Sequence, residues 1–227
     1  MPRGARVATA ALKAVGKDYR PDPDLPGALV AGEIRRRLVW LARGLIRLRA
    51  PVFVGPNVVL RGKGGLHLGR GVTFDRGVQV DGYARDGVTI GPRTRIGAHS
   101  VISCTSHLSR YGAGVTIGAD SGLGEFGFIG AAGGVTIGDN VIMGQYVSFH
   151  AQEHVFGDVD AAIRSQGTVE AGIVVERDCW VGARVTFLDG AHVGAGSVVA
   201  AGAVVRGTFP PRSVLGGVPA RVLKTRE

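Results

Sequence analysis

An aliphatic residue recurs at six-residue steps over most of this sequence. The step is uninterrupted in the last third of the chain, at Val175, Val181, Phe187, Val193, Val199 and Val205. Earlier runs keep it at Ile90, Ile96, Ile102 and Leu108, at Ile117, Leu123 and Ile129, and at Ile137, Met143 and Phe149. A period of six matches neither the 3.6 residues of a helical turn nor the simple alternation of an extended strand. The chain is therefore expected to fold as a stack of short repeated units.

A short strand followed by a tight turn accounts for this period. Each unit points its aliphatic side chain inward, and glycine, of which the chain has 38 residues, supplies turn conformations that other residues resist. Three units close one triangular coil, and stacked coils bury their inward side chains in a single column. Counting from Val54 to Val205 gives 21 inward positions, or seven coils. The period predicts a mainly β protein built as a parallel β-helix, without fixing the hand of the coil.

Breaks in the period predict loops that leave the coil. The step after Ile129 carries two extra residues, and the step after Phe149 carries twenty. Three steps separate these breaks, so both loops should leave the same corner, one coil apart. A third break, after Ile102, is counted as three extra residues at the same edge. We expect three regions: a basic arm with an amphipathic helix (1–50), the β-helix with a loop at 150–172 (51–208), and a C-terminal tail (209–227).

The net charge of +9 belongs mostly to the N-terminal arm. Residues 1–50 hold eleven Lys or Arg and four acidic residues, a balance of +7, which leaves +2 for the other 177 residues. The body of the protein is therefore not expected to bind nucleic acid. Two cysteines predict neither a disulfide framework nor a Cys-rich metal site. No apolar run is long enough for a secretory signal or a membrane span, so we expect a cytoplasmic protein.

A basic amphipathic helix is predicted between residues 28 and 50. Its apolar residues form one stripe, and arginines occupy much of the remaining surface. The stripe consists of Ile34, Leu38, Leu41, Leu45 and Leu48. Two interpretations stay open: the stripe covers the exposed end of the first coil, or it makes a peripheral contact with an anionic membrane at its inner face.

Two of the six histidines lie in or beside the twenty-residue insertion. His150 follows the inward Phe149 and should face outward or lie at a corner, whereas His154 lies within the loop. A loop of this length costs ordering entropy and adds no core, which favours a functional role for it. Histidine is the side chain best suited to accept a proton near neutral pH. His154 is therefore a candidate general base.

Residues 115–225 resemble the hexapeptide-repeat acyltransferases of the maltose, galactoside and exopolysaccharide O-acetyltransferase type. The resemblance rests on the order of the segments IGDN, the loop histidine, CWVG, VGAGSVVAAG and GGVPARV. It implies a left-handed β-helix, acetyl-CoA as the acyl donor, and direct transfer to a sugar hydroxyl in surface-polysaccharide or glycolipid biosynthesis. It also implies a homotrimer in which each active site lies between two subunits. Acetylation of a xenobiotic or another small molecule is the alternative within the same class.

The resemblance also implies roles for individual residues. His154 corresponds to the family's general base, and the backbone N–H of Ala183 corresponds to the donor that stabilises the oxyanion. Trp180 corresponds to a tryptophan that walls the pocket, although an aromatic side chain packed on the corner explains it equally well. The other implied CoA contacts are the small residues Ala201 and Gly202 and, in the tail, Gly217, Pro219, Arg221 and Lys224.

Some positions depart from the family pattern. Arg206 stands one position before the lysine that the family carries, and it is the candidate to replace that CoA contact. The family's Asn and Asp before IGDN are missing, which argues against a maltose-like or galactoside-like acceptor. Glu125, Arg164 and Gln166 are the acceptor-binding candidates, with solvated or loop-bracing roles as the alternative for each.

Rival functions fit the sequence less well. γ-Carbonic anhydrases share this fold and bind zinc through histidines. Here a third ligand besides His150 and His154 would have to be His99 or His107, and the accompanying arginine and acid are not evident, so no metal site is predicted. A non-catalytic scaffold does not explain the loop histidine. A thiol nucleophile is not expected either, because Cys104 and Cys179 occupy spacings typical of the core.

Overall fold

The structure is a computed structural model that describes residue 22 and residues 24–105 and 107–227. The first 21 residues of the predicted arm lie outside the described residues. One α-helix, α1 (Gly27–Leu48), precedes the strands in this part of the chain, and two short 3₁₀ helices (Lys63–Gly65 and Ile163–Ser165) lie between strands. The strands are β1 (Phe53–Val54), β2 (Val59–Arg61), β3 (Leu66–Leu68), β4 (Thr73–Phe74), β5 (Gln79–Asp81), β6 (Val88–Ile90), β7 (Arg95–Ile96), β8 (Val101–Ser103), β9 (Val115–Ile117), β10 (Gly122–Leu123), β11 (Phe128–Gly130), β12 (Val135–Ile137), β13 (Ile142–Met143), β14 (Ser148–His150), β15 (Glu153–His154), β16 (Thr168–Val169), β17 (Ile173–Val175), β18 (Trp180–Val181), β19 (Thr186–Leu188), β20 (His192–Val193), β21 (Val198–Val199), β22 (Val204–Val205), β23 (Thr208–Phe209), β24 (Ser213–Gly217) and β25 (Ala220–Thr225).

Each coil contributes one strand to each of three sheets. Sheet A has the order β1-β4-β7-β10-β13-β18-β21-β24-β25, sheet B the order β2-β5-β8-β11-β14-β19-β22, and sheet C the order β3-β6-β9-β12-β17-β20-β23. All neighbours are parallel except the terminal β24–β25 pair. The fold is the predicted left-handed parallel β-helix of seven coils. The seventh coil ends at β23, which is the twenty-first strand of the coil. The count from the sequence reached 21 inward positions already at Val205, one strand too early.

The inward positions form a single buried column. The large side chains of Phe74, Phe149 and Phe187 are fully buried in it, together with the repeated isoleucines and valines. The rings of Phe149 and Phe187 stack at a centroid distance of 4.6 Å, one coil apart. The small residues that stand two positions before an inward residue are also buried, for example Cys179 before Val181 and Ala191 before Val193. The burial pattern therefore follows the six-residue period.

The three loops predicted from breaks in the period all leave the corner between sheets B and C, as the sequence predicts. They follow β8, β11 and β14. Leu108, however, is 100% exposed and is not an inward position. Fifteen residues separate Ile102 from Ile117, nine more than one step, so this break is a single long loop rather than two steps with three extra residues. The loop returns to the coil where Ala113 donates its N–H to the carbonyl of Ala132.

Helix α1 covers the start of the first coil. Gly44 is buried against Val52, where a Cβ atom would lie 1.9 Å from the carbonyl oxygen. The guanidinium of Arg37 lies 5.2 Å from the ring centroid of Phe53, and Arg47 donates a hydrogen bond to the carbonyl of Val58 at 3.1 Å. The helix is therefore held on the coil by one small residue and two arginine stems.

The coil covers only part of the predicted apolar stripe of α1. Ile34, Leu41 and Leu48 are partly buried, whereas Leu38 and Leu45 are exposed. Val39 and Ile46 are exposed beside them. The stripe is only partly covered because the buried face of α1 is centred on Gly44, to one side of the stripe, and a glycine has no side chain to reveal that face. No helix in the described part of the chain is both long enough and apolar enough to cross a bilayer.

Candidate active site

The site residues predicted from the sequence lie on two edges of the β-helix, which has the shape of a triangular prism with sheets A, B and C as its faces. The A/B edge is the corner where each coil passes from sheet A to sheet B, and the B/C edge is the corner that carries the long loops. Glu125, Ala183, Ala201, Gly202 and Gly217 lie along the A/B edge or at its C-terminal end. The B/C edge holds His154, Arg164, Gln166 and Arg206. Because sheet B separates the two edges, one chain does not bring His154 to Ala183.

His154 lies on a two-stranded hairpin within the long loop. Strands β15 and β16 pair in antiparallel fashion, with His154 opposite Thr168. The imidazole is exposed on this hairpin. The loop beyond it is braced by Gln166, whose side-chain amide accepts from the Asp158 N–H and donates to the carbonyls of Asp158 and Ala161. Gln166 thus has a bracing role within the loop, and Arg164 is exposed beside it.

A second loop ties the hairpin to the coil. Arg110, in the loop after β8, donates hydrogen bonds of 2.9 Å to both Thr168 Oγ1 and Glu170 Oε1. Gln152 donates to the same carboxylate at 2.7 Å. Partial burial would raise the pKa of Glu170, but the hydrogen bonds from Arg110 and Gln152 outweigh it and lower the pKa. The hairpin that carries His154 is therefore anchored by an ionised carboxylate.

Arg206 completes this attachment on the other side. Its guanidinium Nη2 lies 3.3 Å from Oε2 of Glu153, the residue that precedes His154. This places Arg206 on the B/C edge, apart from the other predicted CoA contacts of the same chain. Sequence reasoning missed Arg110 and Glu170, because they are 60 residues apart and neither belongs to the repeat.

Ala183 occupies a tight corner with a free backbone donor. The next residue, Arg184, has a left-handed φ of 59°, so Ala183 is the second residue of a type II-like turn. Pro56 holds the equivalent position of the first coil, before the left-handed Asn57. Within the described residues, nothing accepts a hydrogen bond from the Ala183 N–H. This N–H is therefore available to a ligand on the edge.

Trp180 lies on the outer face of sheet A, just before this corner. It is 59% exposed and pairs in register with Ile142 on one side and Val198 on the other. Ile142 is also exposed. The two side chains form an apolar patch on the outside of the prism, so the packed-aromatic alternative does not apply within one chain.

Small residues continue the A/B edge toward the C-terminus. Ala201 and Gly202 are exposed at the next corner, directly beyond Ala183. The β24–β25 hairpin follows, with Gly217 and Pro219 in its turn. Its outer strand carries two exposed cations, Arg221 and Lys224. An edge of small residues that ends near cations suits an extended ligand with phosphates at one end.

Glu125 belongs to an ion-pair network on the A/B edge. Arg95 contacts it at 3.0 Å and also pairs with the buried carboxylate of Asp75. The pKa of Glu125 is lowered first by the hydrogen bond from its own backbone N–H, and then by Arg95 against the opposing effect of partial burial. Glu125 is therefore an ionised group beside an arginine.

Neither cysteine is placed to act as a nucleophile. Burial, with a smaller contribution from the charge of Asp81, raises the pKa of Cys104 to about 11. Burial also raises the pKa of Cys179. His107 Nδ1 lies 2.7 Å from Ser109 Oγ, on the exposed loop. Both thiols are protonated and enclosed near neutral pH. In the described part of the chain, no three His, Cys, Asp or Glu side chains gather closely enough to hold a metal ion.

Known proteins match this chain in sequence. Residues 172–207 match the bacterial transferase hexapeptide family (six repeats). A probable acetyltransferase of Mycobacterium tuberculosis is 28% identical over 188 residues, which are 83% of this chain and 58% of that protein. The galactoside O-acetyltransferase of Escherichia coli K12 is 34% identical over 91 residues, 40% of this chain and 43% of that enzyme. The chain thus spans about half the length of these two relatives.

Solved structures share the fold. The N-acyltransferase AntD from Bacillus cereus, in complex with dTDP and 3-hydroxybutyryl-CoA, has a TM-score of 0.51 with this chain. The match covers 78% of this chain and 80% of AntD at 17% sequence identity. Likeness at this level of identity concerns the architecture alone.

Proposed function

Because the chain belongs to the hexapeptide-repeat acyltransferases, we propose that it transfers an acetyl group from acetyl-CoA to a sugar hydroxyl. The observation that carries this proposal is the exposed His154 on an anchored hairpin, together with a second edge that offers a free backbone donor at Ala183. The likeness to a galactoside O-acetyltransferase over 91 residues supports a hydroxyl acceptor. The proposed reaction belongs to the biosynthesis of a surface polysaccharide or a glycolipid, where sugar hydroxyls are available as acceptors.

The chemistry follows from the groups on the two edges. The imidazole of His154 takes the proton of the acceptor hydroxyl as its oxygen attacks the thioester carbonyl. The Ala183 N–H stabilises the negative oxygen of the tetrahedral intermediate. The C–S bond then breaks, and the imidazolium gives the proton to the departing CoA thiolate. Transfer is direct, since both cysteines are buried as thiols.

A complete site requires two subunits. His154 and Ala183 lie on different edges of one prism, so the B/C edge of one chain must meet the A/B edge of another. A closed ring of three chains repeats this contact three times without leaving an unpaired edge. The exposed apolar patch of Ile142 and Trp180 lies beside the A/B edge and supports its burial in such a contact. We therefore propose a homotrimer with intersubunit active sites.

CoA is proposed to lie along the A/B edge beyond Ala183. Ala201 and Gly202 let the pantetheine approach the backbone closely, and the turn at Gly217 and Pro219 leads to the adenine end. Arg221 and Lys224 supply charges for its phosphates. Arg206, which pairs with Glu153 on the B/C edge, is proposed to contact the same CoA molecule from the neighbouring chain.

Helix α1 is proposed to bring the enzyme to an anionic membrane surface. Leu38, Val39, Leu45 and Ile46 are exposed on its outer face, with Ile46 at 81%. Arginines flank them, as in helices that lie in a membrane interface. This contact is compatible with covering the first coil, which uses the opposite face of the helix.

The test of catalysis is thiol release from acetyl-CoA in the presence of candidate sugar acceptors. His154→Ala should lower kcat by at least about a hundredfold, the typical effect of removing a general base. His150→Ala is the matched control, because this exposed histidine lies on the coil rather than on the hairpin, with its ring 5.5 Å from that of Phe128. An active His154→Ala enzyme would refute the proposed base. Zinc analysis and a screen of small-molecule acceptors separate the metalloenzyme and xenobiotic alternatives.

A further inference from the structure

A basic cavity lies between helix α1 and the first coils. Its volume is about 940 Å³, and it opens on the N-terminal part of the A/B edge. Helix residues, including Arg36, Trp40 and Arg43, form one wall. Coil residues, including Arg76 and His99, form the other. Neither the predicted catalytic residues nor the predicted CoA contacts lie in this cavity.

The cavity carries a surplus of positive charge. Six arginines line it against two carboxylates, a difference of +4, and the arginines are Arg35, Arg36, Arg37, Arg43, Arg76 and Arg95. Glu33 is paired with Arg36 and Arg37 at 2.5 and 3.2 Å, and Asp75 is paired with Arg95. In the described part of the chain, no carboxylate lies within ion-pair distance of the other three. Guanidinium groups gathered in a concave site without carboxylate partners suit a phosphate, which they bind through two parallel hydrogen bonds.

The same edge connects this cavity to the proposed reaction centre. Arg76, Glu125 and Ala183 occupy equivalent corner positions, each directly before a left-handed residue, in coils two, four and six. Strands of successive coils are about 4.8 Å apart, so Arg76 lies about 19 Å from Ala183 along the edge. Arg95 links the two regions, because it contacts Asp75 in the cavity and Glu125 outside it.

Exposed aromatic rings line the path between them. His99, a cavity residue, stacks on Phe126 at 5.3 Å, and Phe126 stacks on Tyr146 at 5.1 Å. Arg184, adjacent to Ala183, lies 5.7 Å from the Tyr146 ring centroid. Phe126 and Tyr146 are 49% and 51% exposed. Because these rings stack nearly parallel, their faces cover one another, and their exposed edges form an apolar strip along which a ligand can lie.

We propose that the acceptor is a phosphorylated saccharide whose phosphate or diphosphate binds in the α1 cavity. The sugar portion then lies along the aromatic rings toward Ala183, with the reacting hydroxyl at the far end from the phosphate. The cavity thereby selects acceptors that are longer than one sugar ring. This inference rests on the proposed acetyl transfer for its meaning, but the phosphate site itself does not depend on His154.

The first experiment measures binding of inorganic pyrophosphate to the full chain by titration calorimetry at low ionic strength. The double variant Arg43→Gln/Arg76→Gln should bind at least about tenfold more weakly, since hydrogen bonds to charged groups are lost. Arg61→Gln is the control with the same type of charge change, because Arg61 is exposed on sheet B outside the cavity. Wild-type protein without pyrophosphate binding, or equal binding by the double variant, overturns the proposal.

Two further arms identify the source of the phosphate and separate this inference from the catalytic proposal. Sedimentation with phosphatidylcholine vesicles, with and without phosphatidylglycerol, tests a lipid surface. Loss of vesicle binding in the double variant, with no pyrophosphate binding by wild type, assigns the arginines to the membrane and overturns the acceptor site. His154→Ala should bind pyrophosphate as the wild type does. If this variant also retains acetyl transfer, His154 is not the general base, and the phosphate site is unaffected by that result. In turnover, the double variant should raise KM for a phosphorylated acceptor and leave KM for acetyl-CoA unchanged.

Discussion

Replacing Arg110 with alanine should loosen the hairpin that carries His154 without unfolding the coil. The change removes hydrogen bonds of 2.9 Å to Thr168 Oγ1 and to Glu170 Oε1. Glu170 then keeps Gln152 as its hydrogen-bond donor, and its carboxylate, only 19% exposed, loses its ion pair. Because Arg110 is itself 48% exposed, solvent screening reduces the effect. We expect local opening of the hairpin to become easier by about 1–2 kcal/mol.

Hydrogen exchange of the amides in residues 152–170 measures this opening directly. A change of 1–2 kcal/mol corresponds to exchange that is roughly 5–30 times faster. The melting temperature should move little, because Arg110 lies outside the buried column. In turnover, kcat should fall because His154 is positioned less well, while KM for acetyl-CoA should stay unchanged. Arg110→Lys should recover only part of the loss, since an ammonium lacks the planar fork.

The control is Arg93→Ala, which removes another exposed ion pair, to Asp120, on a corner without a long loop. It should leave exchange in residues 152–170 as it is in the wild type. If Arg110→Ala also leaves that exchange unchanged, the hairpin is held by its own β15–β16 pairing and the anchoring argument is refuted.

Two further predictions concern the helix and the acid stability. Gly44→Ala should displace α1, because the new Cβ would lie 1.9 Å from the Val52 carbonyl oxygen. Limited proteolysis should therefore cut α1 faster. Gly32→Ala is the control and should not change the rate of cleavage, because nothing lies within 4 Å of its Cβ. The pKa of Glu176 is lowered from its ordinary value of 4.5, first by the hydrogen bond from His192, so its stabilisation is present above pH 4.5 and is lost as the pH falls through the lower folded value. Acid unfolding of Glu176→Gln should lack this component, and an identical pH dependence in both proteins would contradict it.

The coil architecture was predictable because burial itself repeats with the sequence. Each inward residue from Val175 to Val205 must sit in the column if its neighbours do, so one period determines many contacts at once. Leu108 shows the limit of this argument. It falls on the right step, but a loop residue matches a six-residue period by chance, and only the rejoining of the backbone at Ala113 reveals that the coil was interrupted.

The attachment of helix α1 and the support of the loop were not predictable in the same way. The buried face of α1 is set by Gly44, where close approach of two backbones requires the absence of a side chain, and a hydrophobic pattern gives glycine no weight. The contact of Arg110 with Glu170 joins two loops that the fold alone brings together. For Gln166, the loop-bracing alternative stated at the start describes its contacts.

The most direct test of an active site shared between subunits is complementation between two inactive chains. Ala183→Pro removes the proposed oxyanion donor but keeps the turn, since proline already occupies the equivalent corner at Pro56. Co-expressed with His154→Ala under separate tags, it should form mixed trimers in which about one site in three combines an intact histidine with an intact N–H. Purified mixed trimers should regain acetyl transfer although each variant alone lacks it. Mixed trimers that stay inactive, with both variants folded and trimeric, would show that His154 and Ala183 do not form a shared site between subunits.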